Sequence, residues 1–254
     1  MTKRYFRESE VEEFRRSGYL VVPQLLRPAQ VSELERWAQE LVALPEVPGR
    51  HMVYYEDSLR EPGRRVPSRV ENVCPYHGGF DRLLREGEVP ARVSELFGEP
   101  AVLFKDKINF KMPGGDGFRA HQDVQAGWDA YASLHISVLV SIDEATLENG
   151  CLELAPGAHT RSLLGEMWKP LDERALPHIR FEPCPSRPGD AVFFDSYVPH
   201  RSGPNQTDRP RRVLYATYNR LSEGDHRARY YADKRKSYPP DCEREPGKQY
   251  VFRV

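Results

Sequence analysis

The chain has 254 residues, 39% of them apolar and 30% charged, which is enough to bury a sizeable core and suits one large domain or a domain with an added layer. Its 37 Lys and Arg against 38 Asp and Glu leave a formal net charge of −1, which excludes a chain-wide field that would gather nucleic acid or an acidic membrane. The start MTKRYFRESEVEEF lacks an apolar h-region and the longest apolar run, HISVLVSID, is too short to cross a bilayer, so a soluble, cytoplasmic protein is expected.

The first hundred residues read as helical in patches. SEVEEFRRSGYLVV opens on Ser9 as a candidate N-cap, and RPAQVSELERWAQELVAL sets Val31, Leu34, Trp37, Ala38 and Leu41 at helical spacing. From about 45 to 75 the chain is rich in Pro, Gly and Arg and reads as loop, with one short strand around Met52 to Tyr55. A third amphipathic helix is expected at 90–97. From 101 the texture changes to short β-branched and aromatic runs, AVLFKDKINFKM, ASLHISVLVSID, GCLELAP, DAVFFDSYVPH and RVLYATYN, each bounded by a turn signal such as Asn149-Gly150 or Gly189-Asp190. Many short strands at this spacing indicate a β sandwich or barrel rather than a βαβ fold. Residues 221–254 are polar, basic in the middle, and expected to wrap the core; the run Arg227 to Lys236 reads as a solvated helix face or a lid. The expected organisation is thus a single domain over 1–254, with a helical and loop layer over 1–100, a β core over 101–220 and a wrapping segment over 221–254. Cys74, Cys151, Cys184 and Cys242 are scattered, without Cys-x-x-Cys spacing, and are expected as free, mostly buried thiols.

The chemistry begins at GFRAHQDVQAGW. On a strand, residues two apart share a face, so His121 and Asp123 can offer a nitrogen and a carboxylate oxygen to one ion while Gln122 points away. Alone the pair is weak, since this composition produces a His-x-Asp by chance roughly 0.4 times. Downstream, the apolar strand Ala191 to Phe194 leads to His200, and a strand starting near Arg211 returns a guanidinium toward the same region. Two histidines and one carboxylate with open positions suit non-haem Fe(II), and an arginine fork suits a carboxylate co-substrate. His135 reads as a satisfied core residue or a neighbour of the site, and His159 as structural.

At these residues the sequence resembles the Fe(II)- and 2-oxoglutarate-dependent oxygenases of the phytanoyl-CoA hydroxylase type. The His-x-Asp at 121 and 123, His200, Ser202 two residues later, SGPN at 202–205 and Arg211 carry the resemblance, which runs from about Tyr19 to the C-terminus. It implies a mainly β fold, a double-stranded β-helix (jelly-roll, cupin-like) packed against N-terminal helices. It also implies iron on His121, Asp123 and His200, with Arg211 and Ser202 on 2-oxoglutarate. Arg212 competes with Arg211; spacing favours Arg211, and an alternating strand turns only one of them inward. Related halogenases carry a small residue in place of Asp123, so a hydroxylase is implied, releasing succinate and CO2 from 2-oxoglutarate and O2. Lys105, Lys107, Asn109 and Lys111 alternate on one strand face, a solvated face or an anion site. Lys107 and Asn109 are taken with the co-substrate and Lys105 with the substrate. KDKINFKMPGGDGFRAHQD and SEGDHRARYYADKRKSYPPD are similar to bacterial oxygenases of 2-aminoethylphosphonate or its N-methylated analogue, which implies a small-molecule substrate, an aminoalkylphosphonate among the candidates, and neither nucleic acid nor membrane as partner. Trp128, Tyr131, Tyr197 and Asp129 are then candidates for an ammonium cradle, with Gln122 and Gln125 on the substrate side. Tailoring of an amino acid or natural-product scaffold and a non-catalytic cupin-like binding module are the alternatives.

Overall fold

A computed structural model describes residues 3–172 and 174–250; the last four residues expected in the wrapping segment, 251–254, lie outside the described residues. Eleven strands occur in chain order: β1 (Tyr19–Val22), β2 (Met52–Asp57), β3 (Arg65–Glu71), β4 (Ala101–Lys111), β5 (Phe118–His121), β6 (His135–Ser141), β7 (Leu152–Leu154), β8 (Glu182–Cys184), β9 (Ala191–Asp195), β10 (His200–Ser202) and β11 (Arg211–Arg220). They form a seven-stranded sheet in the order β1-β9-β6-β11-β4-β3-β2 and a four-stranded sheet in the order β5-β10-β7-β8, with every named pair antiparallel. This is the double-stranded β-helix that the sequence implies.

The period of two along β11 explains how the layers are filled. Leu214, Ala216 and Tyr218 turn to one face and join a core with the helices, whereas Val213 and Tyr215 turn inward and pack with Leu139, Leu152, Leu154 and Phe194 from both sheets. The helices α1 (Glu8–Ser17), α2 (Pro28–Ala43), α3 (Gly78–Arg85) and α4 (Glu88–Phe97) cover the outer face of the large sheet. In α2, Pro28 opens the first turn, Gln30 accepts the Arg27 amide at 3.1 Å, and the stripe Leu34, Ala38 and Leu41 is buried. The site therefore lies on the opposite, inner face of the large sheet.

Several elements differ from the sequence reading. Helix α1 is capped at Arg7, whose amide donates to Glu10 Oε2 at 2.8 Å, so Ser9 sits inside the helix and is no cap. YLVV leaves the helix at Gly18, which has a φ of 83°, and forms β1. Gly78–Arg85 is a helix the sequence reading did not resolve, so the one expected at 90–97 is the fourth. The stretch before residue 101 also supplies three strands of the large sheet. Among these, RVPSRVE was masked by its charges and by Pro67, which is tolerated because it pairs with Tyr55 where the β2–β3 register shifts. The basic run forms α5 (Arg227–Ser237), which is neither a solvated face nor detached: Arg227, Tyr230 and Tyr231 are buried, and Arg227 pairs with the buried Asp106. The cysteines are free, and all but Cys242 are buried.

Gly150 closes the sheet edge near Ser202: it holds a φ of 75°, and a Cβ there would collide with the Gly203 carbonyl. Backbone cannot rotate away as a side chain can, so Gly150→Ala is expected to cost about 2 kcal/mol or more and lower the melting temperature by roughly 4–8 °C. Thermal unfolding followed by circular dichroism checks this, and an unchanged midpoint would contradict it.

Candidate active site

Strands β5 and β10 are neighbours in the small sheet, and their register sets His200 directly opposite His121. Directly opposed residues hold their side chains against one another, which brings the two imidazole centroids to 4.2 Å. Asp123 is not on the strand, in contrast to the expectation: the chain leaves β5 after His121 and enters a 3₁₀ turn, Asp123–Ala126. That turn still swings the carboxylate back, with Asp123 Oδ1 at 4.0 Å from His121 Nε2 and 3.9 Å from His200 Nε2. One donor atom from each residue lies within 4.8 Å of the others, so the three could hold a single ion.

The donors are pre-set for that task. His121 Nδ1 bonds the Arg119 carbonyl at 2.7 Å and His200 Nδ1 bonds the Val198 carbonyl at 3.0 Å, which places the proton on Nδ1 and leaves each Nε2 lone pair free. Ser137 donates to Asp123 Oδ2 at 3.0 Å, so Oδ1 is the oxygen left to face the histidines. Burial, with His200 next to it, pushes His121 down to about 3, so the ring is neutral. Burial alone would raise the Asp123 carboxyl, but His200, His121 and Lys107 hold it below its ordinary value and keep it ionised. A facial 2-His-1-carboxylate set in one cavity wall suits Fe(II).

The arginine question resolves on strand parity. Arg212 turns outward, forks onto Asp143 with two contacts of 2.8 Å and reaches Glu35 of α2 at 2.9 Å. Arg211 shares the inward face with Tyr215 and is 2% exposed, its Nε has no hydrogen-bond partner, and no carboxylate lies within 4 Å among the described residues. Burial depresses this guanidinium below its ordinary value. Beside it, Lys111 donates to Ser202 Oγ at 2.7 Å and to the Gly203 carbonyl. Lys111, on the alternating face of β4, thus fixes the serine. Asn109, 4% exposed, and Lys107 line the cavity between this end and the triad, Asn109 with Oδ1 unpartnered. Lys107 lies over the Tyr215 ring at 4.8 Å, and burial together with Lys105 pushes it down to about 7.

Of the substrate-side candidates, Lys105 and Trp128 line the cavity and the others do not. Gln122 gives its amide to the Ser162 and Tyr197 carbonyls and accepts from Leu164 N, all within 3.1 Å. Gln125 accepts from Gln122 N and donates to the Glu166 and Lys169 carbonyls, each at 2.8 Å. Both glutamines are fully buried and tie the turn to the 160s loop, which corrects their assignment to the substrate. Tyr131 bonds Asp233 at 2.9 Å outside this cavity, Tyr197 faces Arg161, and Asp129 is exposed. His135 packs between Phe104 and Trp128 with centroids at 4.5 and 5.4 Å; its Nε2 lacks a partner, so it is a core residue but not a satisfied one.

The cavity also gathers residues that sequence reasoning missed. Glu71 on β3 is 1% exposed and is ringed by Arg69 at 2.9 Å, Lys234 of α5 at 2.6 Å and Lys105 at 3.9 Å. Burial would raise its carboxyl, but these cations hold it well below the usual carboxylate range. A strand reading of RVPSRVE would have put Arg69 and Glu71 on one face; nothing local signals Lys234.

A sequence model described as "Phytanoyl-CoA dioxygenase (PhyH)" matches residues 14–213, most of the chain and all of the triad. The chain belongs to the phytanoyl-CoA dioxygenase family. It is 41% identical over 232 residues to a methylphosphonate hydroxylase of Gimesia maris, covering 91% of this chain and 87% of that one. It is also 41% identical over 247 residues to a 2-aminoethylphosphonate dioxygenase from an uncultured bacterium, covering 97% and 94%. Among solved structures, EctD from S. alaskensis with 2-oxoglutarate and 5-hydroxyectoine superposes with a TM-score of 0.74 at 23% identity, over 86% of this chain and 77% of that one, a likeness of fold. This family member is an iron- and 2-oxoglutarate-dependent dioxygenase. No helix among its described residues is long and apolar enough to cross a membrane.

Proposed function

We propose that this dioxygenase hydroxylates a C–H bond of a small organophosphonate, with iron on His121, Asp123 and His200 and the distal carboxylate of 2-oxoglutarate on Arg211 and Ser202. The observation that carries the metal assignment is the convergence of the three donors within 4.8 Å, each imidazole locked with Nε2 toward the cavity. The unpartnered, buried Arg211 guanidinium supports the co-substrate assignment, because a carboxylate there would satisfy the charge that burial penalises. Phosphonates follow from the two 41% identical relatives and from the cations of the cavity.

Bound iron supplies oxygen activation, and the overall balance is substrate C–H, 2-oxoglutarate and O2 to substrate C–OH, succinate and CO2. The chain's own contribution is positional. Ser137 orients Asp123, Lys111 holds the Ser202 hydroxyl, and the apolar walls Phe118, Leu152 and Phe194 keep water from the reacting centre. A small-molecule substrate, a cytoplasmic location and no nucleic-acid or membrane partner go with this reading. Neither amino-acid tailoring nor a non-catalytic module has a comparable observation behind it.

Screening methylphosphonate, 2-aminoethylphosphonate, betaines and amino acids for iron-dependent succinate release tests the proposal. Phosphonates are expected to accelerate succinate formation at least about tenfold over the rest. Equal stimulation by amino acids would reject the phosphonate class, and no iron-dependent succinate under any condition would reject the enzyme.

A further inference from the structure

The buried charges on the triad's substrate side do not balance. Arg69, Lys105 and Lys234 surround the single carboxylate of Glu71, and Lys107 stands next to them on the same face of β4. Lys105 is 8% exposed, donates no hydrogen bond and comes no closer to a carboxylate than 3.9 Å; Lys107 has none within 4 Å among the described residues. An ammonium taken out of water without a partner is costly, so the cluster is built to receive an anion. A second donor points the same way: Trp128 lines the cavity, is 3% exposed, and its Nε1 has no partner.

The strand registers locate this cluster. Lys105 pairs with Thr217, Thr217 with Ser137, and Ser137 bonds Asp123, so Lys105 sits two strand spacings, roughly 10 Å across the sheet, from the residue that orients the Asp123 carboxylate. Arg211 and Lys111 pair at the other end of β4, six residues or roughly 20 Å from Lys105. The two anion-seeking ends are therefore separate.

Resting on the phosphonate reading above, we infer that Arg69, Lys105 and Trp128 form the phosphonate-recognition subsite, with Lys234 holding Glu71 behind it, and that it takes a compact alkylphosphonate without an ammonium group. The second half follows from what the cavity lacks. Its lining holds only two carboxylates, Glu71 and Asp123; the first is committed to Arg69 and Lys234 and the second faces the histidines. The Trp128 ring, which could cradle an ammonium, already has the Lys105 ammonium over it at 5.5 Å. Within this cavity a substrate cation would find no uncommitted carboxylate; Asp233, in the adjoining pocket that shares Lys105, is bonded by Tyr131 at 2.9 Å.

Calorimetric titration of the anaerobic protein carrying Fe(II) and 2-oxoglutarate tests this, using methylphosphonate and 2-aminoethylphosphonate as probes. Methylphosphonate is expected to bind wild type at least about fivefold more tightly than 2-aminoethylphosphonate. Lys105→Met is expected to weaken methylphosphonate at least about tenfold, Lys105→Arg to restore most of the loss, and both to leave 2-oxoglutarate affinity within about twofold. Should Lys105→Met fail to fold, the double variant Glu71→Gln/Lys234→Met keeps the surplus charge and is expected to bind within about threefold of wild type. Unchanged methylphosphonate affinity in Lys105→Met, loss of 2-oxoglutarate in its place, collapse of binding in the double variant, or tighter binding of 2-aminoethylphosphonate would each overturn the inference. Absence of iron-dependent succinate from wild type would instead remove the enzymatic reading, an outcome distinct from any of these.

Discussion

Replacing His200 with alanine is expected to abolish stoichiometric Fe(II) binding and to lower succinate release on the order of a thousandfold. The ring provides one of three donors, and its Nε2 has no other function in the fold, since Nδ1 alone makes the bond to the Val198 carbonyl. With two donors left, His121 and Asp123, the site loses both an iron ligand and the facial arrangement that leaves open positions for ligands. The same loss is expected for His121→Ala. A lesser change supplies the scale: Ser137→Ala removes the 3.0 Å bond to Asp123 Oδ2, together with a 2.9 Å bond to Thr217 Oγ1, and loss of such an orienting contact weakens metal about 10–100-fold. His200 also packs edge-on against Phe194 at 5.0 Å, so some stability is lost with the ring, about 1–3 kcal/mol. Iron content after gel filtration, read beside thermal unfolding, separates the two effects. Full iron occupancy in folded His200→Ala protein would refute the ligand assignment.

Arg211→Met is expected to raise the 2-oxoglutarate requirement by about 100-fold while leaving iron affinity unchanged. A bidentate guanidinium–carboxylate pair with ionised partners contributes about 3 kcal/mol, which corresponds to that factor. The stability change has an unusual sign. Because the Arg211 guanidinium is buried with no carboxylate within reach, exchanging it for an apolar side chain of similar length removes an uncompensated charge, so the melting temperature of the protein without co-substrate is expected to hold or rise. Arg212→Met is the counterpart: it breaks the fork onto Asp143 and the contact to Glu35, costs about 1–2 kcal/mol because the group is only half-buried, and leaves the 2-oxoglutarate requirement where it was. Measuring the 2-oxoglutarate dependence of succinate release and the unfolding midpoint for both variants decides the assignment. A raised requirement in the Arg212 variant, with none in the Arg211 variant, would exchange their roles.

That only one of the neighbouring arginines turns inward was legible from the chain, because the side-chain period of a strand is two and one of any adjacent pair must turn outward. The triad was legible as three residue types in order, though not Asp123's place in a 3₁₀ turn, since strand geometry and that turn both return the carboxylate to the histidines. Gln122 and Gln125 illustrate the limit. Their neighbourhood in sequence suggested the substrate, but their partners, from Ser162 to Tyr197, arrive from segments about 40 to 75 residues away that only the folded chain brings against the turn.

What the sequence determined by itself is whatever short-range physics controls: the β texture after residue 101, the turn residues, the helical stripe of α2, the free cysteines and the inward face of β11. The tertiary structure alone decided the charge arrangement of the cavity. Glu71 meets Lys234 across 163 residues, and Arg69 counts as a cavity residue only once β3 joins β4 in the sheet. Local pattern cannot reveal such a cluster, because burial and the approach of distant groups, not residue type, gather the basic side chains of β3, β4 and α5 around the one carboxylate of Glu71.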